Sequence, residues 1–140
     1  MRIKQSASLA CGAALSVAVW VKLDAVTADG RIVAKDYVWE LESNSRQPQL
    51  TLSDGTLAAS QAKLSVSEWH HVAFTFAAGR SRTYVDGIEG NFETNSINMN
   101  SGFIEQSSGM HVGSSANLDN FAKGTKLRPP HVARICPETP

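Results

Sequence analysis

The chain has 140 residues, enough for one domain with its own core and no need of metal or disulfide staples. Its 13 basic and 13 acidic residues cancel to a formal net charge of zero, which argues against an electrostatic nucleic-acid binder and against a polybasic membrane-surface protein. The two cysteines, Cys11 and Cys136, lie near opposite ends and form no zinc or redox motif.

Arg2 and Lys4 precede a mostly apolar run over 7–23, as the charged start of a signal peptide would. Within that run, however, Leu15, Val17, Val19, Val21 and Leu23 alternate with Ser16, Ala18, Trp20 and Lys22. A period of two predicts a strand over 15–23. Gly12 and Ser16 interrupt the run, which falls short of the roughly 20 apolar residues of a membrane-spanning helix. Residues 24–30 form a polar loop ending in the turn signal Asp29-Gly30. A short strand over 31–35 sets Ile32 and Ala34 against Val33 and Lys35, and a strand over 38–43 sets Trp39 and Leu41 against Glu40 and Glu42. Residues 43–48 read as a loop by composition. Leu50 and Leu52 point inward from a strand over 49–53, and Asp54-Gly55 turns the chain again. Residues 57–66 are weakly patterned, with room for a short strand and a loop leading into Trp69.

The clearest stretch is 67–87. Val72, Phe74 and Phe76 fall on one face of a strand; His71, Ala73 and Thr75 fall on the other. Ala78-Gly79 can reverse the chain, and the Thr, Tyr and Val of 82–85 suit a return strand. Asp86-Gly87 is a strong signal for a type I′ hairpin, whose two central residues both need positive φ. A third strand then begins near Ile88. The residues expected to be mostly buried are Val72, Phe74, Phe76, Leu50, Leu52, Trp20 and Trp69. No helix-period segment exceeds two turns and no repeat is visible, so closely spaced strands with Gly turns indicate an all-β sandwich.

Trp69-His70-His71-Val72-Ala73 followed by Tyr84-Val85-Asp86-Gly87 resembles the laminin G-like, concanavalin A-like lectin/glucanase family. Ser16-Val17, then Trp20-Val21-Lys22, is similar to that family's early strand, and Met110-His111-Val112-Gly113 to its short Val-Gly strand. The resemblance implies an antiparallel jelly-roll β-sandwich over 1–124, followed by a divergent segment, 125–140. Family members close on an Ile-Asp-Glu-Val-Arg-Ile-Tyr strand, of which Val132-Ala133-Arg134-Ile135-Cys136 is a faint echo. Two outcomes stay open at the ends. A last strand beside the first would bring Cys11 and Cys136 within disulfide reach. A disordered proline-rich tail over 128–140 would instead leave an open sheet edge, which invites self-association.

Several constellations could carry chemistry. Glu40 and Glu42, at i and i+2 of a strand, share one face roughly 7 Å apart, within the separation glycosidases use. The jelly-roll glucanases' helper Asp and outer Glu are missing from this run. His70 and His71 point to opposite faces and cannot share a metal there; His71 could contact a ligand. No Gly-x-Ser-x-Gly elbow, cysteine nucleophile signature or phosphate-binding glycine loop occurs. Pentraxin-like relatives take calcium from the loop before the Trp39 strand and the loop after the Val-Gly strand. Here those loops offer Asp36, Asp119 and Asn120, with Ser114 and Ser115 replacing the pentraxin acidic cluster, which leaves donors for one weak calcium. The resemblance implies a non-catalytic carbohydrate-binding or adhesion module of an extracellular or cell-surface bacterial protein. Its expected carbohydrate or protein ligand contacts are Asp36, Tyr37, His71, Asn117 and Asp119. The rivals are a structural or protein-interaction module in a larger assembly and a glycoside hydrolase using Glu40 and Glu42.

Overall fold

The computed structural model describes residues 2–4, 14–26, 30–35, 38–52, 57–77, 80–90, 109–112 and 126–127. In chain order the strands are β1 (Arg2–Ile3), β2 (Ala14–Lys22), β3 (Gly30–Lys35), β4 (Trp39–Asn44), β5 (Gln47–Leu52) and β6 (Leu57–Ala59). They continue with β7 (Trp69–Ala77), β8 (Arg80–Val85), β9 (Ile88–Gly90), β10 (Met110–Val112) and β11 (Lys126–Leu127). Two sheets form, one ordered β1-β10-β3-β4-β5-β6 and the other β11-β2-β7-β8-β9, and every strand pairing is antiparallel. This is the all-β sandwich expected from the strand periodicity, in the antiparallel jelly-roll form that the resemblance implies. Among the described residues no helix is long and apolar enough to cross a membrane.

Alternation builds the core. Val17, Val19 and Val21 of β2 and Val72, Phe74 and Phe76 of β7 point inward and are buried. They belong to one apolar cluster with Ile32, Val33, Trp39, Leu41, Leu50, Leu64 and Met110 from the facing sheet and its connections. Side chains from two inner faces meeting this way bury apolar area at about 25 cal/mol per Å². The β2–β7 ladder is the longest pairing, running from Ala14↔Ala77 to Lys22↔Trp69.

Several details depart from the sequence expectation. Trp20 is not in the core: it is 38% exposed, because the parity that turns Val19 and Val21 inward turns Trp20 outward. Trp69 is half-buried, on the same outer face. The side chain of Leu52 lies outside the described set. In β3 the register shifts between Arg31 and Val33, a bulge that lets Ile32 and Val33 both be buried instead of opposing each other. The loop expected over 43–48 shrinks to Ser45 and Arg46, with Ser43↔Pro48 and Asn44↔Gln47 already paired. Pro48 is tolerated near the strand start, where its carbonyl accepts the Ser60 N–H at 2.9 Å. Residues 126–127 pair with Val21 and Lys22 of β2, so the segment after 124 carries a strand. Residues 128–140, Cys11 and Cys136 lie outside the described residues, as do the two end arrangements that depend on them.

Candidate functional site

The Trp-His-His and Asp-Gly motifs meet at one end of the β7–β8 hairpin. Asp86 has φ 53° and Gly87 φ 80°, the pair of positive values that a type I′ turn needs and that glycine adopts without penalty. That turn sets Asp86 beside the start of β7. Its Oδ1 accepts the His71 backbone N–H at 2.8 Å, its own N–H donates to the His71 carbonyl at 2.8 Å, and its Oδ2 lies 2.7 Å from His70 Nδ1. On the other side of the ring, the Ser65 N–H donates to His70 Nε2 at 3.1 Å. Nε2 is therefore the acceptor and Nδ1–H the donor to Asp86.

Ser65 Oγ lies 2.7 Å from the same Nε2, so Ser65, His70 and Asp86 are connected in the order of a hydrolytic triad. The proton inventory differs. The Nε2 lone pair accepts a backbone N–H, and the Ser65 hydroxyl is hydrogen-bonded to Glu68. In this arrangement His70 has no free lone pair with which to take the serine proton. The network acts as a clamp that joins the loop before β7, the start of β7 and the β8–β9 turn.

His71 faces the opposite way, as alternation requires, and its ring packs against Trp20, with centroids 5.2 Å apart and planes tilted by 55°. The register shows what surrounds this pair on the outer face of the β11-β2-β7-β8-β9 sheet. Trp20 lies opposite His71 and Lys22 opposite Trp69; Ala18, Ala73, Tyr84 and Glu89 form the next row, and Ser16, Thr75 and Arg82 the one after. Beside the Trp20 and His71 rings, the next row on β2 and β7 carries only the small side chains of Ala18 and Ala73. A hydrogen bond with Tyr84 and the nearby Glu89 carboxylate, 3.7 Å away, together push the Arg82 guanidinium pKa upward.

On the other sheet, Glu40 and Glu42 share the outer face of β4, with Trp39, Leu41 and Ser43 buried on the inner one. Arg31 Nε donates to Glu40 Oε2, and the pair is only partly exposed. Glu40 thus stands in an ion pair, where a general acid of a glycosidase needs its proton. Of the residues expected to contact ligand, His71 alone is described. Asp36, Tyr37, Asn117 and Asp119, and with them the calcium donors Asp36, Asp119 and Asn120, lie outside the described residues. Among the described residues no group of three or more His, Cys, Asp or Glu is placed to hold a metal ion. The outer-face array of Trp20, Trp69 and Tyr84 was not anticipated, although the shared parity of Trp20 with Ser16, Ala18 and Lys22 points to it.

No curated protein matches the chain. Among solved structures, a protein of Bacteroides ovatus provisionally described as carbohydrate binding superposes with a TM-score of 0.70 at 15% identity, over 90% of this chain and 38% of that one. Domains LG4-5 of the mouse laminin α1 chain superpose with a TM-score of 0.61 at 18% identity, over 81% of this chain and 31% of theirs. Domain 4 of an extracellular arabinanase of glycoside hydrolase family 43 from Geobacillus stearothermophilus, solved with arabinotriose, gives 0.54 at 20% identity, over 80% and 57%. At these identities the likeness is one of fold, and the chain spans well under two thirds of each of those structures. The family model described as the concanavalin A-like lectin/glucanases superfamily matches residues 1–125, and the chain belongs to that superfamily.

Proposed function

We propose that this domain is a non-catalytic carbohydrate-binding module of an extracellular protein. The observation that carries the reading is the exposed Trp20 ring, tilted against His71 on an open sheet face with Ala18 and Ala73 in the next row. The C–H face of a sugar ring is apolar and lies flat on an indole, while its hydroxyls reach polar neighbours at the rim. Tyr84, one row further along the same face, and Thr75 and Ser16, two rows along, supply such partners. The likeness in fold to the arabinanase domain solved with arabinotriose and to the Bacteroides ovatus protein supports a sugar ligand, and the extracellular laminin and arabinanase domains support the same setting for this one. Rim residues Asp36, Tyr37, Asn117 and Asp119, with a weak calcium at Asp36, Asp119 and Asn120, complete the proposal as a second contact region.

A glycan-array screen with and without calcium tests the reading. Binding of at least one oligosaccharide that is lost in Trp20→Ala, with an unchanged melting temperature, is the expected result. Full binding by that variant would remove the sheet face from the account. Hydrolysis of a bound polysaccharide by the wild type but not by Glu40→Gln would replace a binding module with an enzyme.

A further inference from the structure

The same sheet face carries a charge imbalance. Lys22 neighbours Trp20 at one end of the array, and Arg82 and Arg80 follow Tyr84 along β8 at the other. Against these three cations, Glu89 is the only carboxylate that the register places on this face among the described residues. Asp86, at the turn, adds a second carboxylate at the edge of the face, with one oxygen on His70 and the other on the His71 backbone. Arg80 and Arg82 are exposed. Glu89 meets Arg82 only at 3.7 Å, with both side chains about half exposed, a contact too screened to neutralise the arginine. In a chain whose formal net charge is zero, three cations thus stand on this face against two carboxylates, Glu89 and Asp86.

Position gives the charge its meaning. Two strand spacings and four residues of rise separate Trp20 from Arg82, a diagonal of about 16 Å. That is the reach of a few sugar rings lying across β2, β7 and β8. Cations at both ends of an aromatic centre complement a chain that is apolar on its ring faces and anionic at its substituents. Guanidinium groups pair with carboxylate or sulfate in a bidentate geometry that neutral hydroxyls cannot match. We infer that the outer face of the β11-β2-β7-β8-β9 sheet binds an anionic oligosaccharide, with Trp20 stacking on one ring and Lys22, Arg80 and Arg82 taking carboxylate or sulfate groups on its neighbours. The inference rests on the carbohydrate-binding reading above and names the ligand class of that same face.

The test pairs anionic glycans with uncharged versions of the same backbone: polygalacturonate against its methyl ester, and dextran sulfate against dextran, with alginate and heparin as further anionic probes. Affinity electrophoresis and calorimetry are run on the full chain at low and high salt. At least one anionic probe should bind, about fivefold or more tighter than its uncharged counterpart, with the difference shrinking as salt rises. The double variant Arg80→Gln/Arg82→Gln should lose that preference and keep whatever affinity the uncharged backbone has. Trp20→Ala should lose both. Lys63→Gln, an exposed cation in the loop before β7, should change nothing. Equal affinity for charged and uncharged versions, or a preference that survives the double arginine variant, would overturn the anionic assignment and leave the carbohydrate reading standing. Binding of a neutral glycan with none to any anionic probe does the same. No binding to any member of either set sinks both.

Discussion

His70 Nδ1 stands 2.7 Å from Asp86 Oδ2, and this contact ties the start of β7 to the turn that follows β8. Desolvation at the turn pushes the Asp86 carboxyl upward. The hydrogen bonds from His70 and from the His71 N–H outweigh it and hold the group below the ordinary carboxylate range. A carboxyl with a lower pKa folded than unfolded contributes stability above the unfolded value, near 3.9, and loses it as pH falls through the folded one.

Asp86 is nearly half exposed, so the contribution is screened. Asp86→Asn should cost about 1 kcal/mol at neutral pH. Urea melts of variant and wild type should converge as pH falls below about 4. A gap that is the same at pH 7 and pH 3 would show that the charge is not what stabilises the turn.

The parity of the two central strands predicts opposite outcomes for two large aromatics. Phe74 is 1% exposed and Trp20 is 38% exposed. Phe74→Ala should destabilise by about 3–5 kcal/mol through the cavity it leaves. Trp20→Ala, on the outer face, should cost less than about 1 kcal/mol. Chemical denaturation of both variants checks the face assignment, and comparable losses would refute it.

Thr83 is fully buried on the inner face of β8, and its hydroxyl has no hydrogen-bond partner among the described residues. Burying an unpaired hydroxyl costs about 1–3 kcal/mol, and valine keeps the branched shape without it. Thr83→Val should therefore raise stability by about 1 kcal/mol. A lower melting temperature would mean that the hydroxyl is satisfied in solution.

A calcium ion held by Asp36, Asp119 and Asn120 would stabilise the folded state by linkage. Thermal melts with millimolar calcium should then shift upward, and Asp119→Ala should abolish the shift. An unchanged melting temperature at tenfold excess over a weak, roughly millimolar affinity would remove calcium from the account.

The legible parts of the sequence were those where two signals coincided. Val17, Val19 and Val21 alternate and are β-branched; Asp86-Gly87 sits between two alternating runs and has a glycine where positive φ is needed. The β4–β5 turn was hidden because Ser45 and Arg46 adopt φ of 49° and 75° without any residue that favours those values. Tertiary pairing of Ser43 with Pro48 imposes the turn from outside. Trp20 was misplaced because bulk suggested the core, while parity, the stronger constraint in a strand, put it on the surface. The outer face proposed to bind ligand is set by the same parity read across three strands, and that requires knowing that β2 pairs with β7, which local pattern does not reveal.

The long β2–β7 ladder also sets an order of events during synthesis. Lys22 and Trp69 are roughly 50 positions apart, so at about 5–20 residues per second the ribosome leaves β2 without its partner for several seconds. The β3–β4–β5 meander, closed by short connections, can form in that interval. Until Trp69–Ala77 emerges, Val17, Val19 and Val21 present a bare apolar edge to other nascent chains. A chaperone that grips extended apolar segments would find its site on β2, and would be displaced when β7 arrives.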